Sequence, residues 1–174
     1  MSKLKHKELI FTLNDRLSLY IPRDAYLSLL KYRQNGAYKK EAGGIVLGRV
    51  TTDERTIIVD EITTPFEADK RARHSFYRSS KHNDYAVKRW KESKGDCVYL
   101  GLWHTHPESY PNPSSTDFND WKESLLEGVY LMEGLFYFIV GTKEINCWYG
   151  TRTSVSKRFL PLRKAFVKLK EKNN

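Results

Sequence analysis

The sequence predicts an α/β fold in which a mixed, mainly antiparallel β-sheet is flanked by three or four helices. Runs of β-branched and aromatic residues alternate with segments whose apolar residues recur at helical spacing. Hydrophobic residues make up 40% and charged residues 29% of the 174 residues, which is typical of a packed globular domain. Because no repeat or low-complexity linker divides the chain, we expect a single domain over residues 1–174, with a basic C-terminal tail from about residue 163.

The first half of the chain predicts a helix followed by a β-hairpin. Residues 22–35 place apolar side chains on one helical face and end before Gly36, a residue that favours a helix terminus. Residues 43–51 and 56–64 are β-branched runs separated by a short polar stretch, which indicates two antiparallel strands. The basic stretch at 65–78 shows neither the apolar spacing of a helix nor the alternation of a strand, so we expect an irregular segment there.

The second half predicts further helices and strands in alternation. A helix with a serine cap, a buried strand, a third helix and a second hairpin are expected over residues 79–95, 97–104, 114–128 and 135–150, respectively. The remainder is interpreted as a possible strand before the basic tail.

Composition also excludes several classes of protein. No apolar run approaches the roughly 18 to 20 residues that span a bilayer, and the first residues do not resemble a signal peptide, so we expect a cytoplasmic protein with no membrane partner. Cys97 and Cys147 are expected to be buried free thiols. The net charge of +9 is spread along the chain without a nucleic-acid-binding motif. We therefore expect an acidic protein partner and no nucleic acid.

The most informative stretch contains two histidines, three prolines and an aspartate. Side chains two apart in a strand face the same way, so His104 and His106 should project together. The prolines between residues 107 and 113 prevent regular structure and impose a stiff loop, after which Ser114 or Ser115 can cap the next helix. The first turn of that helix would return Asp117 towards the histidine pair.

Two imidazoles and one carboxylate form the ligand set of a catalytic zinc site, because the fourth tetrahedral position stays open for water. Zinc lowers the pKa of such a water to about 7, but a base must still accept its proton. Glu41 is the candidate, since it begins an apolar strand beside Gly43 and Gly44, where missing side chains permit close approach of another chain.

Each of these residues also has a structural interpretation. The two histidines could be hydrogen-bonded core residues, and Glu41 could be a solvated charge after two lysines. Ser114 and Asp117 also fit a capping box at the start of a helix. Ser114 could cap the helix in either interpretation, but Asp117 would be less free to cap if it bound zinc.

The sequence EAGGIVLG followed by HTHPESYPNPSSTD resembles the JAMM motif of the JAB/MPN metalloproteases. That motif has a glutamate, then His-x-His-Pro, six residues, a serine, two residues and an aspartate, and every spacing is met. The resemblance implies a JAB/MPN fold similar to that of the cytidine deaminases. It also implies that Glu41 is the general base, that His104, His106 and Asp117 hold one Zn²⁺ with a catalytic water, and that Ser114 stabilises the oxyanion.

Within the family, YLGLWHTHPE and the Pro-x-Pro-Ser loop look most similar to the bacterial JAB isopeptidases of CBASS antiphage operons. This similarity implies a deubiquitinase-like zinc isopeptidase that releases a CD-NTase, a cGAS-like enzyme, from targets to which ubiquitin-like conjugation machinery has joined its C-terminal tail. Three alternatives remain open: processing of another ubiquitin-like or sulfur-carrier protein, a non-catalytic MPN binding module, and a nucleic-acid-associated JAB protein.

The basic stretch at 65–78 suggests how such a tail would be held. An extended tail can add as a strand to a sheet edge without depending on its sequence. The hypothesis includes four basic residues that would attract an acidic partner, namely Lys70, Arg71, Arg73 and Arg78.

Overall fold

The computed structural model describes residues 7–13, 15–153 and 159–168. In chain order, the elements are β1 (Lys7–Leu13), β2 (Leu17–Ile21), α1 (Arg23–Lys31), β3 (Gly43–Val50), β4 (Thr56–Ile62), β5 (Lys70–Ala72), β6 (Ser75–Tyr77), α2 (Lys81–Glu92), β7 (Val98–Thr105), α3 (Ser115–Glu127), β8 (Gly134–Val140), β9 (Ile145–Thr151), β10 (Leu160–Pro161) and β11 (Arg163–Lys168).

Nine of these strands form one sheet, in the order β10-β9-β8-β7-β3-β4-β2-β1-β11. Two neighbouring pairs, β2 with β4 and β7 with β8, are parallel, and the other pairs are antiparallel. Strands β5 and β6 form a separate two-stranded sheet. The predicted α/β fold class, a mixed and mainly antiparallel sheet with flanking helices, is confirmed.

Helices cover both faces of the large sheet, so its central strands are buried on each side. Every residue of β8 is buried, which explains its continuous apolar sequence. On the face beneath α1 the buried aromatic side chains include Phe11, Trp103, Phe136 and Phe138. On the face beneath α3 they are Trp121, Tyr137, Trp148 and Phe159. Trp121 stacks on Tyr137 with ring centroids 4.6 Å apart, which anchors α3 one turn beyond Asp117.

Several predicted elements need correction. The first helix ends at Lys31 rather than at residue 35: the N–H groups of the next two residues donate to carbonyls of its last turn, and residues 33–42 form a loop. The segment at 65–78 is not wholly irregular, because it contains the β5–β6 hairpin. The N-terminal hairpin of β1 and β2 was missed.

The segment predicted as a basic tail begins with β11, which pairs antiparallel with β1, and the tail after residue 168 lies outside the described residues. Cys97 and Cys147 are buried free thiols, as predicted. Of the helices in the described part of the chain, none is long and apolar enough to cross a membrane.

Candidate metal centre and general base

His104, His106 and Asp117 converge where β7 ends and α3 begins. The Nε2 atoms of the two histidines lie 3.0 Å apart. Asp117 Oδ1 lies 3.0 Å from His104 Nε2, and Asp117 Oδ2 lies 3.3 Å from His106 Nε2. Ligand atoms at tetrahedral angles around zinc are separated by about 3.3 Å. The three side chains thus fit a single zinc ion. Their donor set of two imidazoles and a carboxylate also matches its preference.

The position of the histidines follows from the sheet. β7 lies between β3 and β8, so both histidine side chains are almost enclosed, each 8% exposed. The backbone N–H of His106 donates to the carbonyl of Val140 at 3.0 Å, which continues the pairing with β8 past the last residue of β7. The alternation expected of a strand places Thr105 on the opposite face.

The proline-containing loop is fixed against the turn between β8 and β9. Thr142 N–H donates to the Glu108 carbonyl at 2.7 Å, and the Asn146 amide donates to the Pro111 carbonyl at 3.1 Å. A Cβ atom on Gly141 would lie 2.6 Å from the Pro111 ring, so glycine permits this close approach. The loop therefore delivers the start of α3 to the histidines in a defined position.

Asp117 takes part in a capping box as well as in the histidine cluster. The Ser114 hydroxyl accepts from the Asp117 N–H at 3.1 Å, and Asp117 Oδ2 accepts from the Ser114 N–H at 2.6 Å and from its hydroxyl at 2.7 Å. Oδ1 is the oxygen nearer to His104. The two interpretations of Asp117, which seemed to compete in the sequence, are compatible because Oδ2 accepts the capping bonds while Oδ1, which accepts none of them, faces His104.

Electrostatics favour an ionised aspartate in this cluster. Burial raises the pKa of Asp117, but hydrogen bonds from His104 and His106 outweigh it and hold the pKa well below its usual range. Burial lowers the pKa of His106, yet its hydrogen bond to Asp117 and the negative charge there raise that pKa overall. The carboxylate is therefore charged at neutral pH and ready to bind a cation.

Glu41 lies just before β3, across from the histidines. Gly43 is the register partner of His104, and Ala42 and Thr105 exchange hydrogen bonds, which places Glu41 opposite His106 on the same face. Only 7% of Glu41 is exposed, so it is not the solvated charge of the alternative interpretation. Burial raises the pKa of Glu41 to about 7; the His106 charge lowers it and Asp117 raises it.

The backbone of Glu41 is held by the β5–β6 hairpin. Its N–H donates to the Ala72 carbonyl at 2.8 Å, and its carbonyl accepts from Arg71 Nε at 2.7 Å. Arg73 donates to the Gly36 carbonyl at 3.0 Å in the same loop. Two of the four basic residues predicted to attract a partner therefore also bind backbone carbonyls.

The glycines at the start of β3 permit close contacts, as their sequence position suggested. A Cβ atom on Gly43 would lie 2.6 Å from the Phe76 ring of β6, and one on Gly44 would lie 2.3 Å from the Thr63 carbonyl. The β5–β6 hairpin can therefore pack directly beside β3, the strand whose Gly43 is the register partner of His104.

Sequence reasoning missed two polar groups near the site. Gln34 is 2% exposed and hydrogen-bonds Thr105, a contact that no local pattern signals. His82 is fully buried between Thr63 and Asp69, with ring nitrogens 2.7 and 2.9 Å from their oxygens. Asp69 also accepts from the Ser79 N–H at 2.8 Å, so this group closes the base of the hairpin.

Together these residues can hold one divalent cation with three protein ligands, with a buried carboxylate beside them. That arrangement suits activation of a water molecule and transfer of its proton.

Comparison with known proteins gives the family. The family model described as prokaryotic homologues of the JAB domain matches residues 23–151. A protein of Escherichia coli named "CD-NTase/cGAS isopeptidase" is 32% identical over 146 residues, covering 83% of this chain and 88% of the relative. A protein of the same name from Vibrio cholerae is 31% identical with the same coverage, and one from Pseudomonas aeruginosa is 35% identical over 62% of this chain and 68% of its own.

A solved structure supports the fold alone. The solution structure of a protein from Desulfitobacterium hafniense matches with a TM-score of 0.54 and 17% identity, covering 83% of this chain and 88% of that one. The resemblance to the JAB family on the JAMM spacing is thus confirmed by the family model and by the relatives. The chain belongs to the family of prokaryotic homologues of the JAB domain.

Proposed function

We propose that this protein is a zinc-dependent isopeptidase that cleaves after the C-terminus of a conjugated protein. The observation that carries the proposal is the convergence of two imidazole nitrogens and a carboxylate at 3.0 to 3.3 Å, with a buried glutamate opposite one of the histidines. The relatives named "CD-NTase/cGAS isopeptidase" support the reaction class.

In this mechanism, His104, His106 and Asp117 hold the metal. Zinc bound there supplies a Lewis acid and a water of lowered pKa. Glu41 accepts the proton as the water oxygen bonds to the scissile carbonyl carbon. It then delivers a proton to the departing amine nitrogen as the C–N bond breaks. Burial in the metal-free protein raises the pKa of Glu41 to about 7, and a carboxyl that is desolvated in this way is suited to accept a proton and return it.

Ser114 has a second role in the proposal. Its hydroxyl donates to Asp117 in the structure and would donate to the oxyanion in the transition state by rotating about its Cβ–Oγ bond. The capping bond that this hydroxyl accepts from the Asp117 N–H does not use its proton, so it can persist during that rotation.

We propose a CD-NTase with an extended C-terminal tail as the substrate, joined to its targets by ubiquitin-like conjugation machinery in CBASS antiphage defence. The names of the relatives support this choice. The tail would pair with β6, whose strand partner among the described residues is β5. The Phe76 ring of β6 lies against Gly43, the register partner of His104, so a tail bound there would lie near the histidines. Lys70 is exposed on this hairpin and is available to attract an acidic surface.

Two other functions are compatible with the fold: processing of another ubiquitin-like or sulfur-carrier protein, and non-catalytic binding. A non-catalytic module has no need for a complete ligand set beside a buried, charge-coupled glutamate, so the geometry favours an enzyme.

In the experiment, the zinc-loaded protein is mixed with a CD-NTase whose C-terminal tail is fused to a reporter. A ubiquitin-like protein and a sulfur-carrier protein, each fused to the same reporter, are the comparison substrates. We expect cleavage at the end of the tail, fastest for the CD-NTase, with turnover reduced about 100- to 10,000-fold in Glu41→Gln. Faster cleavage of another fusion would reassign the substrate. Binding without cleavage of any fusion would support the non-catalytic module.

A further inference from the structure

Gln34 is a buried loop residue whose amide makes three hydrogen bonds, two as donor and one as acceptor. Its Nε2 donates to the Arg73 carbonyl at 2.8 Å and to the Lys39 carbonyl at 3.2 Å, and its Oε1 accepts from the Thr105 hydroxyl at 2.9 Å. The orientation of the amide is determined by these partners, because the two carbonyls can only accept. Gln34 thus joins three segments: the hairpin, the loop that leads to Glu41, and β7.

Thr105 connects this group to both sides of the candidate active site. It lies between His104 and His106 in sequence and is fully buried. Its hydroxyl accepts from the Ala42 N–H at 3.0 Å while its own N–H donates to the Ala42 carbonyl at 2.9 Å. Both backbone groups of Ala42 are therefore bound to the residue between the two histidines.

The hairpin completes the enclosure of Glu41. The N–H of Glu41 donates to the Ala72 carbonyl, and its carbonyl accepts from Arg71. The carbonyl of Arg73, the residue after Ala72, accepts from Gln34. Glu41 is therefore held on one side by the hairpin and on the other, through Ala42, by Thr105. Gln34 ties the two sides together.

We propose that Gln34 and Thr105 are positioning residues whose hydrogen bonds fix Glu41 relative to the histidine pair. The inference rests on the proposed function. A general base must lie within hydrogen-bond reach of the proton it accepts, and a displacement of about 1 Å lowers rates by about 100-fold. Hydrogen bonds in a buried, low-dielectric network resist such displacement.

The test compares two substitutions of Thr105 in the zinc-loaded full chain. Thr105→Val keeps the volume but removes the hydroxyl, leaving the Ala42 N–H and Gln34 Oε1 without that partner. Thr105→Ser keeps the hydroxyl. We expect Thr105→Val to lower kcat by about 10- to 100-fold with KM within about threefold, and Thr105→Ser to retain kcat within about threefold.

Two measurements do not depend on turnover. The zinc dissociation constant of Thr105→Val should remain within about threefold of wild type, because the histidine side chains lie on the opposite face. Hydrogen exchange at the Ala42 amide should be faster in Thr105→Val and unchanged in Thr105→Ser. Tyr130→Phe is the control for a merely structural loss, since its hydroxyl donates to the Leu125 carbonyl, towards the end of α3 that lies away from Asp117; it should lower the Tm without lowering kcat.

The outcomes separate the inference from the function on which it rests. Equal losses of kcat in Thr105→Val and Thr105→Ser, or weaker zinc binding that accounts for the loss, would overturn the positioning role. A wild-type protein that cleaves no conjugate would refute the proposed function instead. The positioning role is then decided by exchange at Ala42, where equal rates in Thr105→Val and wild type would refute it.

Discussion

Replacing Glu41 by glutamine in the metal-free protein should stabilise the fold, by an amount that depends on pH. Burial raises the pKa of this carboxyl from its ordinary value of 4.5 to about 7. The folded state therefore retains a proton that the unfolded chain has lost, and stability contributed by this group falls as pH rises from about 4.5 to about 7. Each pKa unit corresponds to about 1.4 kcal/mol, so the whole loss is about 3 kcal/mol.

Urea unfolding in the presence of a chelator measures this effect. The difference in unfolding free energy between Glu41→Gln and wild type should increase by about 3 kcal/mol between about pH 4 and about pH 8. Comparing the two pH values cancels any difference in packing between the acid and the amide. Zinc should reduce the gain at the higher pH, since a nearby cation favours the carboxylate.

The control is Glu123→Gln, because Glu123 is exposed on α3 and its replacement should change stability little at either pH. A Glu41→Gln effect that is the same at both pH values would show that the carboxylate is not desolvated in the folded state. The argument for a proton acceptor poised near neutral pH would then fail.

Three further predictions concern the metal and the substrate. Elemental analysis should find one zinc per chain, and zinc should bind about 10-fold or more weakly at about pH 6 than at about pH 8, because the raised pKa of His106 lets protons compete; pH-independent affinity would contradict this. Ser114→Ala should cost about 1 kcal/mol of stability and lower kcat more than it changes KM, whereas a loss of stability alone would make it only a cap. Lys70→Glu should lower kcat/KM for a protein conjugate and weaken its salt dependence, with little effect on a short peptide; equal losses on both would exclude steering.

The fold class and the candidate site could be predicted because each followed from a local rule. β-Branched runs indicated the central strands, and the prolines and serine indicated where α3 begins. Trp121 lies one helical turn after Asp117, a spacing that favours packing beneath the site, and it is buried in the core. These features depend on a few neighbouring residues, so a sequence pattern is enough to detect them.

The remaining features depend on partners far away in the chain. Arg71 and Arg73 bind backbone carbonyls 30 and 37 residues earlier in the chain, so the sequence around them gave no sign of these contacts. Gln34 bonds a hydroxyl 71 residues away. Strands β5 and β6 have three residues each, too short for a periodic signal.

Two spacings in the sequence that resembles the JAMM motif have a physical cause in this structure. His-x-His is the period of a strand, which brings two imidazoles to one face. Ser-x-x-Asp is the spacing of a capping box, in which the N-cap and N3 side chains satisfy each other's backbone donors. Since the cap restrains Asp117 through Oδ2, little further conformational entropy is lost when Oδ1 binds a cation. The cap that starts the helix therefore also preorganises Asp117 for the metal site that we propose.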